Sequence, residues 1–171
     1  MTKLKIIFSF MTAATIASAT YAESYADSNI ITVDQGWDYS DRACFYFSPQ
    51  GSPIIPFEFA KALEQPNSEE LFLDPSFLKE LGMIYWNDPK SNPENLPVGL
   101  TVDNGRLGNE SFLGMNCSSC HVTEIKVGGK TALVDGGVSH FDFWSFMKSL
   151  NSALHNTYND NDKRNTNYQT S

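Results

Sequence analysis

Hydrophobic and polar positions follow several different rhythms along this chain. The first 22 residues, MTKLKIIFSFMTAATIASATYA, place Lys3 and Lys5 ahead of an apolar run that starts at Ile6 and gives way to small residues. That is the build of a secretory signal peptide, with cleavage expected after Ala22 and Ala19 as the second option. Ser9, Thr12, Thr15 and Ser18 interrupt the run, which is short for a spanning helix of about 20 residues. No later segment is apolar enough to cross a bilayer, so no membrane insertion is expected once the signal is removed. Residues 23–40 are polar and read as a flexible N-terminus. From Asp41 onward aromatic residues crowd the chain. Phe57, Ala60 and Leu63 fall on helical spacing, which predicts a helix over Phe57–Gln65 ahead of Pro66. LDPSFLKELGM predicts a second helix, with Asp74 as cap, Pro75 in its first position and Gly82 ending it. YWNDPKSNPENLPVG, with Pro89, Pro93 and Pro97, reads as loop, and RLGNESFLG does not read as a buried strand. EIKVGGKTALV predicts a hairpin turning at Gly128-Gly129, and Asp135–Gly137 a second turn. Ser139 and Asp142 resemble a capping box. It would open a helix whose apolar face is Phe143, Met147, Leu150 and Leu154. Residues 156–171 lose all apolar period and read as a polar tail, or as a chain cut before its next element.

The 171 residues suffice for one domain with a core. The formal net charge is −8 and becomes more negative when Lys3 and Lys5 leave with the signal. Nucleic acid is excluded as a partner, because phosphate binding needs basic clusters. The three cysteines, Cys44, Cys117 and Cys120, are too few and odd in number for the disulfide framework an exported domain often uses. A committed pair plus a lone, buried Cys44 is the expectation.

That pair stands in Cys117-Ser118-Ser119-Cys120-His121, the spacing of a c-type haem attachment site. Two thiols three positions apart occupy neighbouring points of one helical turn. Each can add across one of two neighbouring haem vinyl groups. The histidine that follows can ligate the iron, its other ring nitrogen donating a bond that fixes the tautomer. Ser118 and Ser119 are expected to face away from the ring. Three rivals are weaker. Zinc wants four ligands, and His140 and His155 are scattered. A thioredoxin-like pair would follow a strand in a βαβ unit. A structural disulfide across so tight a loop would stabilise little. Met147 leads the candidates for a sixth iron ligand, over Met83, His140 and His155, although core packing is its default role. An open sixth position would bind dioxygen or peroxide. Arg42 or Arg106 could pair with a haem propionate, with the surface as the default for both. Phe45, Phe47, Phe57, Phe59, Phe112, Phe141, Phe143 and Trp144 are expected to line the core and haem pocket.

All eight prolines lie between Pro49 and Pro97, so the Gly-Pro that usually follows the haem histidine in small soluble cytochromes c is missing. The chain instead resembles the diheme cytochrome c peroxidase-like proteins, the group that includes the rubber oxygenases. The resemblance is carried by RACFYFSPQGSPIIPFEFAKALEQ (Arg42 to Gln65), LFLDPSFLKELGMI, NPENLPVGLT, LGMNCSSCHVTEIKVGG and LVDGGVSHFDF, in that order. It implies an extracytoplasmic, mainly α, cytochrome c-like haem domain with long loops and a small β-hairpin, spanning 41–155. Cys117 and Cys120 would hold one haem c and His121 would ligate its iron. Relatives carry two such haem domains, whereas this chain has one CxxCH. The expected function is a periplasmic or secreted cytochrome domain carrying electrons to a redox partner protein or to a second haem domain. The alternative is a peroxide- or dioxygen-reactive haem protein, the front part of a diheme peroxidase or oxygenase. No catalytic residue is assigned.

Overall fold

The computed structural model describes residues 30–105 and 108–160. The expected signal peptide, Arg106 and most of the polar tail lie outside the described residues. The elements in chain order are β1 (Ile30–Thr32), α1 (Tyr39–Phe47), β2 (Pro53–Pro56), α2 (Phe57–Ala62), α3 (Pro75–Glu80), β3 (Leu100–Asn104), β4 (Ser111–Met115), α4 (Ser118–His121), β5 (Val122–Val127), β6 (Lys130–Asp135) and α5 (Phe143–Asn159). The strands form two three-stranded sheets, β1-β6-β5 and β2-β4-β3. β1 runs parallel to β6, and the remaining pairs are antiparallel.

This corrects the mainly α, cytochrome c-like expectation: the domain is mixed α/β. The β2-β4-β3 sheet is the part that pattern reading misses. Its strands are four or five residues long, too short for alternation to show against background. Proline brackets β2 at both ends, which is tolerated because β2 is an edge strand. SFLGM, whose first four residues belong to the stretch read as no buried strand, is the central strand of that sheet. The segment read as a flexible N-terminus contributes β1 and the first two residues of α1, and α5 continues to Asn159, past the boundary drawn at 155.

Elements with local signals form as expected. Asp74 accepts the N–H groups of Ser76 and Phe77 at the start of α3, and Gly82 follows that helix with φ +83°. Gly128 and Gly129 both have positive φ, as a two-residue hairpin turn requires. α1 is opened by a reciprocal bond pair between Asp38 and Asp41. The cap of α5 lies three residues beyond the predicted Ser139, at Asp142. Asp142 accepts the Ser145 N–H at 2.9 Å, while Ser139 closes a local turn by accepting the Phe141 N–H. Its buried face is Phe146, Leu150, Ala153 and Thr157 rather than the expected Phe143, Met147, Leu150 and Leu154. Phe143 and Trp144, expected inside, are 49% and 76% exposed.

Two apolar clusters form the core. The larger joins Phe57, Leu63, Phe72, Leu78, Leu100 and Leu113 to the buried face of α5. The smaller packs Ala43, Tyr46 and Phe47 of α1 with Trp86, Val98, Val122 and Leu133, where Val122 and Leu133 come from the β1-β6-β5 sheet. Burial of this apolar area is the main stabilising term.

Candidate functional site: the Cys117–His121 turn

The motif forms one helical turn between the two sheets. Cys120 and His121 donate their N–H groups to the Cys117 carbonyl, at 3.2 and 3.0 Å. The turn ends when Val122 adopts extended geometry and starts β5. Its C-terminal end is held by two further bonds. Gly136 N–H donates to the His121 carbonyl at 2.7 Å, and Ser139 N–H to the Cys120 carbonyl at 3.0 Å.

Side chains divide sharply across the turn. Cys117, Cys120 and His121 are exposed, and the cysteines are free thiols. Ser118 and Ser119 are buried, as expected for residues facing away from a cofactor. The Cys117 backbone N–H and thiol both lie near Gln50 Oε1, at 3.3 and 3.1 Å. Gly99 packs directly beneath. It has φ +89°, and a Cβ there would overlap the Ser119 backbone, so the close approach requires glycine.

Behind the turn lies a buried polar network. Asp135, at the end of β6, accepts from Arg42 Nε at 2.9 Å and from the Tyr46 hydroxyl at 2.5 Å. Burial, with the Asp135 carboxylate second, pushes the Tyr46 phenol well above its usual pKa. Arg42 was expected at the surface as a possible propionate partner. It is instead 6% exposed and committed to Asp135, because a guanidinium leaves water only when paired. Cys44, expected buried, is exposed on α1, with its sulfur 3.2 Å from Ser48 Oγ. Sequence reading also missed Asn116, Gly99 and Asp135. Asn116 had a readable signal: an asparagine two positions before a serine, at the start of a turn, is a local capping pattern.

The remaining candidates lie elsewhere. Met147 packs half-buried against the larger core. Met83 and His140 line a cleft of about 500 Å³ with Tyr85 and Glu124. His155 is exposed near the end of α5, its ring facing the Asn159 amide.

Among the described residues, no three His, Cys, Asp or Glu side chains converge as a metal ion would require. Cys117, Cys120 and His121 therefore do not form the compact set a zinc site needs. A strand, β4, does precede the motif, as a thioredoxin-like pair would want. However, α4 is a single turn and β5 belongs to the other sheet, so there is no βαβ unit. No family model, curated protein or solved structure matches the chain.

Proposed function

We propose that this chain is an exported c-type haem protein that carries electrons. Cys117 and Cys120 would hold one haem through two thioether bonds, and His121 would ligate its iron. The observation that carries the reading is the division across the turn. Both thiols and the imidazole are open to solvent, while the two intervening serines are buried. This donor set fits a haem tethered at two adjacent vinyl groups and does not fit a zinc ion. Bound haem supplies a one-electron couple tuned by its second axial ligand and its burial. The chain's own contribution is a rigid, solvent-facing mount for it. The acidic surface suits a basic redox partner in the periplasm or outside the cell.

The test is expression of the full chain, with its leader, alongside a cytochrome c maturation system. The expected product is exported protein whose haem survives denaturation and gives a c-type pyridine haemochrome. Exported, folded protein without covalent haem would refute the reading. A ferrous spectrum that shifts on adding carbon monoxide would place the function with the peroxide- or dioxygen-reactive alternative.

A further inference from the structure

The residue before the motif holds an unusual number of bonds for one side chain. Asn116 is 6% exposed. Its amide group lies 3.1, 3.2 and 3.1 Å from the carbonyls of Phe45, Tyr46 and Ser48. These are carbonyls of the last turn of α1 and its cap, which have no intrahelical partner. Its side-chain oxygen accepts both the N–H and the hydroxyl of Ser118, at 2.9 and 2.6 Å. Its backbone N–H donates to Gly99, and its carbonyl accepts from the Ser119 N–H and hydroxyl. One buried carboxamide therefore ties the end of α1 to the Cys117–His121 turn, while its main chain fastens that turn to the glycine beneath it.

We propose that Asn116 is the positioning residue of the haem-attachment turn. It holds the turn with both thiols outward in the folded chain, and so governs whether one or both thiols become attached. The inference rests on the haem-attachment reading of Cys117, Cys120 and His121. Each attachment adds a thiol S–H across a vinyl C=C. Sulfur bonds to one carbon, the thiol hydrogen goes to the other, and no oxidant or leaving group is involved. What the protein supplies is placement. Two additions to one rigid ring need both sulfurs at a fixed offset, and a turn that has lost its clamp satisfies one addition more readily than two.

A purely structural role makes a different prediction, which Tyr46→Phe isolates. That variant removes a buried hydrogen bond from the neighbouring core without touching the side-chain contacts of the motif turn. The full-length wild-type chain, Asn116→Ala, Asn116→Asp, Asn116→Ser and Tyr46→Phe would be matured with haem, denatured and alkylated. A singly attached molecule leaves one more alkylatable thiol than a doubly attached one, and its retained vinyl group shifts the pyridine haemochrome band to the red. Asn116→Ala and Asn116→Asp are expected to raise the ratio of singly to doubly attached haem about tenfold, the scale set by losing a buried polar clamp. Asn116→Ser should have a smaller effect, and Tyr46→Phe should match wild type. Asn116 variants whose ratio equals that of Tyr46→Phe would overturn the positioning role while leaving the haem reading intact. Should Asn116→Ala and Asn116→Asp fail to accumulate, Asn116→Ser against Tyr46→Phe decides on the same criterion. Wild-type protein without covalent haem would overturn the haem reading, and this inference with it.

Discussion

The two sides of one helical turn are built on opposite rules. Beneath it, Ser118, Ser119, Asn116 and Gly99 are buried, and the polar groups there are matched by hydrogen bonds. Above it, Cys117, Cys120 and His121 face water. Reactive side chains are thus projected from a firmly held backbone.

The sharpest way to break that contrast is to remove the upper side alone. Cys117→Ala/Cys120→Ala should abolish covalent haem completely while leaving a cooperative thermal transition within a few degrees of the haem-free wild type, since exposed substitutions cost little. Loss of the transition would mean that the thiols belong to the fold. The reverse experiment attacks the lower side. Arg42→Met strips the guanidinium from the buried Asp135 carboxylate and should cost about 3 kcal/mol in denaturant unfolding. The fraction that folds should still acquire haem. A cost near zero would mean the ion pair is not holding α1 to β6.

Tyr46→Phe is the gentlest probe, expected to cost about 1 kcal/mol near neutral pH. Its signature lies in the alkaline range. The phenol pKa is raised in the folded chain above its unfolded value of 10.0. The folded state therefore keeps its proton where the unfolded state loses it. This contribution is intact below the unfolded value and is lost progressively as pH rises above it. Tyr46→Phe should flatten the alkaline fall in stability without abolishing it, because burial raises the Tyr85 phenol as well. An unchanged alkaline slope would show that Tyr46 does not titrate with unfolding.

How much of this was legible in the chain depends on how local each signal is. The α3 helix and the β5–β6 hairpin were readable because a cap, a proline and paired glycines act within a few residues of where they stand. The motif was readable for the same reason. The β2-β4-β3 sheet was not, because its pairings join residues such as Ile55 and Leu113 that are distant in sequence. The start of α5 was misplaced because Ser139 and Asp142 both bond nearby N–H groups, and only packing decides which of them caps the helix. Arg42 was misjudged because its partner, Asp135, lies 93 residues away. The exposed half of the site could be read from spacing, whereas its buried half depends on long-range contacts.

One measurement tests the central claim most directly: the haem content of the exported, purified chain after denaturation and acid-acetone extraction. The account predicts one covalently retained haem per chain, with Cys117 and Cys120 protected from alkylation and Cys44 still reactive. Folded protein with all three thiols alkylated and no retained haem would contradict it.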